Sequence, residues 1–220
     1  MEMKDTLVDT CFLHKISNDG KEIEVLKKVI NALEIKPVVH PYIAMHELGL
    51  YSSYKILIDE GFLKVIEYSD IFKTAVSQSV YEGYLQVLYD DFHKTMDTVN
   101  TEKARKMYSD ISKINVFEAH KQGSSLGDVH MMLTAAFLNI PMILTEDSDI
   151  EILRDISNRR IKYNNASIKI LNAIDAIKII VSDNSINFAK KDIDIILNVM
   201  KERSKRSEIK KLWDNAHSDG

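Results

Sequence analysis

The stretch of sequence that decides the fold is Leu126–Asp149, which reads LGDVHMMLTAAFLNIPMILTEDSD. Its first part, Asp128–Leu138, is predicted to be a helix with a face of small residues. Pro141 begins the next segment, and Met142–Thr145 is short, apolar and typical of a buried strand. A helix followed at once by a short buried strand is the repeating unit of α/β folds, so we expect a mostly parallel sheet.

The rest of the chain alternates in the same way, without internal repeats or low-complexity stretches. The predicted strands are Thr6–Leu13, Pro37–Val39, Phe62–Tyr68, Met142–Thr145 and Ser167–Leu171. The predicted helices are Glu22–Leu33, Tyr42–Asp59, Ile71–Met96, Glu102–Lys113, Asp128–Leu138, Ser148–Ser157 and most of the chain after Asp183. In a parallel sheet of this kind, ligands bind at the carboxyl ends of the strands.

Composition excludes several classes of protein. The chain has 220 residues, a net charge of −4, 45% hydrophobic residues and 28% charged residues, which is the balance of a globular protein and not of a disordered one. Only 7 glycines and 3 prolines are present, so we expect long helices. A single cysteine, Cys11, excludes a disulfide framework and metal sites built from several cysteines. The short apolar runs and the charged N-terminal segment predict a cytoplasmic protein with no membrane association.

Four acidic residues are predicted to meet at one edge of this sheet. Asp9 follows the first predicted strand, and Asp147 follows the fourth. Asp128 begins the helix before that fourth strand, and helices begin at the edge where parallel strands end. Glu47 lies one to two turns into the helix after the second strand, which places it at the same edge.

A cluster of carboxylates needs a cation, because uncompensated carboxylates repel one another and raise each other's pKa. Ligation by oxygen alone suits Mg²⁺ or Mn²⁺ and not Zn²⁺. Such an ion can activate a bound water and polarise a phosphoryl oxygen. We therefore predict that Asp9, Asp128 and Asp147 hold Mg²⁺ or Mn²⁺, while Glu47 completes the cage or orients the attacking water.

Several of these positions have an alternative interpretation. Asp128 could cap its helix in place of, or in addition to, binding the ion, and Asp149 could be either a metal ligand or the N-cap of the next helix. The hydroxyl of Thr145 could position a water or a metal ligand, although the β-propensity of threonine explains its presence nearly as well. His46 and His130 lack the spacing of a chelating pair, so we predict that neither binds a metal.

These motifs resemble the PIN domain family. The similarity lies in Leu7–Thr10, in the helix that carries Glu47, and above all in Leu126–Asp149, where an acid opens a helix, a Thr-Ala-Ala face follows, and a short strand ends in Thr-x-Asp. The resemblance covers about residues 1–173. It implies a Rossmann-like three-layer α/β/α sandwich with a mostly parallel sheet of about five strands. It also implies a divalent-metal-dependent endonuclease, most often acting on RNA, whose catalytic acids are Asp9, Glu47, Asp128 and Asp147, with Asp149 as an additional acid.

The resemblance also implies partners. Members of the family include toxins that pair with an antitoxin and enzymes that process or degrade RNA, so we expect RNA as the substrate and consider an inhibitory protein such as an antitoxin as a partner. The rival hypothesis is a non-catalytic protein of the same fold that binds RNA or another protein. The complete set of acids favours the enzyme.

Two segments extend beyond the compact form of this family. Residues 1–182 are predicted to form the nuclease domain, with a helical insertion at about residues 71–113. Residues 183–220 are predicted to form a helical, basic extension. Its apolar positions recur at helical spacing and should pack on the domain or on a second copy of the chain, as a homodimer; they are Ile193, Ile196, Leu197 and Met200.

The end of this extension is strongly basic. Lys201–Lys211 contains six basic residues and two acidic ones. We predict that the basic side chains contact RNA phosphates, which would make binding depend on salt. The alternative is a solvated helix end whose basic residues complement the helix dipole. The candidate residues are Lys205, Arg206, Lys210 and Lys211.

Overall fold

The structure is a computed structural model, and it describes residues 3–74, 76–161 and 168–218. The strands in these residues are β1 (Lys4–Val8), β2 (Ile35–Val39), β3 (Lys64–Val65), β4 (Met142–Leu144) and β5 (Lys169–Leu171). The α-helices are α1 (Thr10–Ser17), α2 (Ile23–Ala32), α3 (Pro41–His46), α4 (Ser52–Asp59), α5 (Tyr68–Thr74), α6 (Gln78–Val99), α7 (Thr101–Lys106), α8 (Leu126–Leu138), α9 (Ile150–Arg160), α10 (Ala173–Val181), α11 (Lys190–Val199) and α12 (Arg206–His217).

The five strands form one parallel sheet in the order β3-β2-β1-β4-β5, which confirms the predicted fold class. The chain builds outward from β1 to β3 and then places β4 and β5 on the other side of β1. The order therefore reverses between β1 and β4, where Leu7 pairs with Ile143 and Val8 with Leu144. In open α/β sheets such a reversal leaves a crevice at the carboxyl ends of the two central strands.

Helices cover both faces of the sheet and complete a three-layer α/β/α structure. In one helical layer α1 packs against α2, α10 and α11, and in the other α8 packs against α3, α5, α6 and α9. Central strand residues such as Leu7, Val38 and Ile143 are buried between the layers. A sheet covered on both faces needs apolar side chains in both directions, which explains the nearly continuous apolar strands.

The first strand is shorter than predicted. β1 ends at Val8, and the residues up to Leu13, predicted as strand, belong to α1. The chain turns at Asp9, whose backbone is extended and whose carboxylate accepts a hydrogen bond from the backbone N–H of Thr10 at 2.7 Å. The prediction was wrong because a short apolar run looks the same in a buried strand and in a buried helix.

The helix predicted over Tyr42–Asp59 is interrupted. α3 ends at His46, a 3₁₀ turn occupies Leu48–Leu50, and α4 begins at Ser52. Glu47 therefore follows the last turn of α3 and does not lie within a long helix. Gly49 in the middle of the turn weakens a continuous helix, because glycine is among the least favourable residues in a helix interior.

Three other elements differ from their predicted bounds. The strand predicted over Phe62–Tyr68 is reduced to the two residues of β3, since Tyr68 begins α5. The helix predicted over Ile71–Met96 is divided into α5 and α6, because the Ser77 hydroxyl accepts a hydrogen bond from the backbone of α6 and starts a new helix. The helix predicted over Glu102–Lys113 ends at Lys106, and a 3₁₀ turn follows.

The elements near the C-terminal half agree more closely. The helix predicted over Ser148–Ser157 begins at Ile150 and runs to Arg160. The last strand covers Lys169–Leu171, while Ser167, its predicted first residue, lies outside the described residues.

The predicted insertion is helical and packs on the domain. Its main element is α6, with 22 residues, which packs against α7, α8 and α9. The buried side chains of α6 are Tyr81, Leu85, Leu88, Tyr89, Phe92 and Met96. Neither α6 nor any other helix of the described residues is long and apolar enough to cross a membrane.

The C-terminal extension is helical, and its apolar face packs on the domain itself. The four predicted positions Ile193, Ile196, Leu197 and Met200 are buried, and α11 contacts α1. α12 then packs against α10 and α11 and buries Ile209. The indole N–H of Trp213 donates to the carbonyl oxygen of Phe188 at 3.0 Å, which fixes the end of the extension.

Candidate functional site

A cleft of about 880 Å³ opens at the carboxyl edge of the sheet. It is lined by the four acids predicted from the sequence, Asp9, Glu47, Asp128 and Asp147. They come from the end of β1, the end of α3, the first turn of α8 and the loop after β4. The structure therefore brings together residues that are up to 138 positions apart in the chain.

Asp9 is the most firmly held of these acids. It is only 7% exposed. One oxygen accepts the N–H of Thr10, and the other accepts the Cys11 thiol at 2.6 Å and the Thr145 hydroxyl at 2.8 Å. These hydrogen bonds fix the carboxylate in position at the carboxyl ends of β1 and β4.

Thr145 connects the ends of the two central strands. Its hydroxyl donates to Asp9 and accepts a hydrogen bond from the backbone N–H of Asp147 at 3.1 Å. These bonds favour a positioning role over β-propensity alone, because they align the two acids on either side of the point where the strand order reverses. The Cys11 thiol joins this network and also accepts the N–H of Glu146 at 3.1 Å.

Glu47 reaches the cleft from the end of α3 and lies against Gly127. A Cβ atom at Gly127 would come within 2.9 Å of Glu47 Oε1. Only a glycine leaves room for the carboxylate in this position. The sequence prediction placed Glu47 at the correct edge, although the helix that carries it is shorter than predicted.

Asp128 lies in the first turn of α8 but does not cap it. The N-cap position belongs to Ser125, whose φ angle of 55° is in the left-handed region. Asp128 is the third residue of the helix, and its side chain lines the cleft. The helix N-terminus favours a negative charge at this position.

The acids perturb one another. Burial raises the pKa of Asp9 against its hydrogen bonds, and the charge of Asp147 raises it further. Burial raises the pKa of Asp128 well above its usual value, and the charges of Asp9 and Asp147 add to the shift. Burial, and then the charge of Asp9, raise the pKa of Glu47 to about 7. The cleft therefore concentrates negative charge that a bound cation would relieve.

One cation is already present, and the sequence did not predict it. Lys103 in α7 places its ammonium 2.7 Å from Asp147 Oδ2 and 3.1 Å from Asp149 Oδ2. Burial lowers the pKa of Lys103, but the hydrogen bond to Asp147 and the surrounding acids raise it overall. Asp149 occupies the N-cap position of α9 without a capping hydrogen bond from its side chain, and besides this ion pair its backbone N–H donates to Asp147 Oδ1 at 2.8 Å.

The cleft offers the donor atoms that the predicted metal ion needs, but their positions differ from those of a formed metal site. Among residues 3–74, 76–161 and 168–218, no three His, Cys, Asp or Glu side chains stand ready to hold an ion in their present positions. The donor chemistry nevertheless suits Mg²⁺ or Mn²⁺, because the cleft offers carboxylate oxygens. The hydroxyl of Thr10 is buried in the cleft without a hydrogen-bond partner, and a water bound to a cation beside Asp9 would supply one.

His120 and Lys121, at the end of the irregular segment of residues 114–121, line one wall of the cleft, and three ring side chains hold this segment in place. The bonds run from Tyr42 Oη to the Ala119 carbonyl at 2.9 Å, from His46 Nε2 to the Phe117 carbonyl at 3.2 Å, and from His130 Nε2 to the Val116 carbonyl at 2.9 Å. Because a carbonyl oxygen only accepts hydrogen bonds, each of these three side-chain atoms carries the hydrogen. Both histidines thus use a ring nitrogen to position the wall.

The basic residues of the extension lie elsewhere. Arg206 and Lys210 contact Asp194 at 2.9 and 2.7 Å, and Lys205 approaches Glu208 at 3.9 Å. Neither these three nor the exposed Lys211 line the cleft. The structure does not bring them to the acidic site.

No protein-family model, no curated protein and no solved structure matches the chain.

Proposed function

We propose that this protein is a divalent-metal-dependent endonuclease of the PIN type that hydrolyses phosphodiester bonds, with RNA as its substrate. The observation that carries the proposal is the meeting of Asp9, Glu47, Asp128 and Asp147 in one cleft at the reversal of strand order. Ligand sites of open α/β sheets lie at this point. The choice of RNA rests on the resemblance of the sequence motifs to the PIN domain family.

Each acid has a role in this proposal. Asp9, Asp128 and Asp147 would hold Mg²⁺ or Mn²⁺, which supplies an activated water and stabilises charge on the phosphoryl group. Glu47 would complete the cage or orient the attacking water. Thr145 keeps Asp9 and the backbone of Asp147 in register. Burial raises the pKa of the Cys11 thiol, so this side chain stays protonated and is a poor covalent nucleophile.

The cleft also carries groups that suit a polyanion. Lys106 and Lys121 line it and are exposed to solvent. The exposed His120 stacks on His46 with ring centroids 5.5 Å apart. Tyr51 at the rim is 38% exposed and offers an aromatic face to a base. Phosphate contacts and stacking are the two ways in which single-stranded nucleic acids are held.

One observation favours a second function, in which the same cleft binds RNA or a protein without cleaving. Lys103 already forms ion pairs with Asp147 and Asp149, and such an internal cation can take the place of a metal. A cytoplasmic location and an inhibitory protein or a second copy of the chain as partner stay predictions from the sequence.

The deciding experiment is a cleavage assay with the purified chain. Labelled single-stranded RNA and DNA are incubated with Mn²⁺, with Mg²⁺, or with a chelator. We expect cleavage of RNA only with a divalent ion, and loss of cleavage in Asp9→Asn, which retains the shape of the side chain. The exposed Asp155→Asn, on α9, is the matched control and should cleave normally.

Two outcomes would contradict the proposal. Cleavage that is equally fast in folded Asp9→Asn would show that the acids are not the active site. Tight binding of RNA without cleavage at any metal concentration would favour the non-catalytic function.

A further inference from the structure

The carboxylates of the cleft divide into two sets according to their partners. Asp147 and Asp149 share the ammonium of Lys103. Asp9, Glu47 and Asp128 form no ion pair with a basic side chain in the part of the chain that the structure describes, although the charge of Lys103 also acts on Asp128 over a longer distance. The unpartnered hydroxyl of Thr10 belongs to this second set, next to Asp9 in sequence.

Lys103 is held too firmly to be an incidental surface lysine. Its side chain is 16% exposed, and its ammonium lies 5.6 Å from the centre of the Phe92 ring. The side chain of Asn100 accepts a hydrogen bond from the backbone N–H of Lys103, which caps the first turn of α7. The buried Ala104 and the hydrogen bond between His93 Nε2 and the Ala104 carbonyl attach α7 to α6. The inserted helices thus deliver a fixed positive charge to the cleft.

Resting on the proposed function, we propose that Lys103 acts as the second cation of the centre, so that the protein binds one divalent ion and not two. Two-metal nucleases place their ions about 3.5–4 Å apart, between carboxylates that each ion shares. Here the ammonium contacts Asp149 and Oδ2 of Asp147, so Asp9, Asp128 and the other oxygen of Asp147 are left for the one metal ion. Lys103 is a positioning residue in this arrangement, because it fixes the rotamer of Asp147.

The test counts Mn²⁺ ions per chain by calorimetric titration and by the electron paramagnetic resonance signal of free Mn²⁺. We expect one ion in the unchanged protein and two in Lys103→Met, which keeps the length of the side chain and removes the charge. Lys106→Met is the matched control, because Lys106 lies on the same helix, lines the same cleft and pairs with the exposed Glu102. It should bind one ion.

The outcomes separate this inference from the proposed function. Two ions in the unchanged protein, or one ion in folded Lys103→Met, would overturn the role of Lys103 and leave the nuclease proposal standing. No ion in the unchanged protein would overturn both. If Lys103→Met does not fold, the number of ions bound by the unchanged protein still tests the inference. In addition, Asp149→Asn should bind one ion and Asp9→Asn none.

Discussion

The carboxylate of Glu47 lies directly against Gly127, at a distance that leaves no room for a Cβ atom. An alanine at this position would place its Cβ 2.9 Å from Glu47 Oε1 and 3.5 Å from the Ile43 side chain. The end of a glutamate side chain can move, whereas the backbone of α8 cannot move as easily. The contact therefore couples a helix position to the geometry of the acidic site.

Gly127→Ala should lower the cleavage activity while leaving the stability of the fold nearly unchanged. Replacing glycine by alanine in a helix contributes roughly 0.5–1 kcal/mol to stability, which offsets the cost of displacing the Glu47 carboxylate. We expect a free energy of unfolding within about 1 kcal/mol of the unchanged protein, together with at least about a tenfold loss of metal-dependent cleavage. Urea unfolding and the cleavage assay measure the two effects. Full activity would show that the position of Glu47 is unimportant.

Glu47→Gln should stabilise the metal-free protein at high pH and not at low pH. The pKa of Glu47 is raised from 4.5 to about 7 in the folded chain. The folded state therefore binds more protons than the unfolded state between these values, and stability falls as the pH rises through that window. At about pH 8 we expect Glu47→Gln to gain roughly 1–3 kcal/mol, decreasing to less than about 1 kcal/mol near pH 5.

The measurement is urea unfolding in a chelator at several pH values. Glu118→Gln, at an exposed position, is the control and should show no pH-dependent difference. Because each variant is compared with the unchanged protein at the same pH, the titration of groups that do not interact with Glu47 cancels, whereas the repulsion between Asp9 and Glu47 is part of the measured difference. A gain that is constant with pH would mean that burial of the charge is not its cause.

The edge at which the acids meet could be predicted because it follows from topology alone. In a parallel sheet, strand ends and helix starts share one edge, so approximate element bounds were enough to predict that Asp9, Asp128 and Asp147 lie at that edge. Glu47 was placed correctly for the same reason, even though its helix ends before it. The bounds themselves were less accurate, because the apolar run that contains Phe12 and Leu13 fits a strand and a helix equally well.

Lys103 could not be predicted, since nothing in its local sequence marks it. It lies in a charged hexapeptide that is typical of an exposed helix, and its partner Asp147 is 44 residues away. The interaction of Cys11 with Thr145 spans 134 residues and is equally invisible to local patterns. Contacts of this kind depend on how the inserted helices and the two central strands pack, and spacing rules apply only within one element.

A buried chain of hydrogen bonds attaches α6 to the rest of the fold. The backbone N–H of Tyr42 donates to His40 Nδ1 at 3.1 Å, so the hydrogen of His40 is on Nε2, 3.4 Å from the Tyr81 hydroxyl. That hydroxyl donates to His130 Nδ1 at 2.8 Å. Burial lowers the pKa of His130 to about 4. Burial, and to a lesser extent the neighbouring His130, also lowers the pKa of His40 well below its usual value. Both rings are therefore neutral.

Tyr81→Phe should destabilise the protein without changing the acidic cleft. The substitution removes the hydroxyl between the two histidines and leaves His130 Nδ1 buried without a donor, which costs about 1–3 kcal/mol. Urea unfolding near neutral pH measures the loss. Tyr84→Phe on the same helix, where the ring is partly buried against Phe137, should change stability by less than about 0.5 kcal/mol. Equal effects of the two variants would show that loss of the Tyr81 hydroxyl is not the cause of the destabilisation.

The last prediction concerns which basic residues hold RNA. In the extension, Arg206 and Lys210 share Asp194, and Lys106 pairs with Glu102 in the same way. Lys106 and Lys121 nevertheless line the cleft itself, whereas the basic residues of the extension do not. We therefore expect the double variant of Lys106 and Lys121 to glutamine to bind RNA at least about tenfold more weakly at low salt. Each lost contact to a single strand should lower the slope of log affinity against log salt by about 0.7.

The comparison is the double variant of Lys205 and Lys211 to glutamine, which removes the same charge from the extension and leaves α12 in place. Both are made in the Asp9→Asn background, so that binding is measured without cleavage, at salt concentrations of about 50 and 200 mM. We expect the extension variant to bind within about threefold of its parent, since a distant charge is largely screened beyond about 10 Å. The opposite order of effects would assign the phosphate contacts to the basic extension, as its sequence suggested, and would place the path of the RNA across α12.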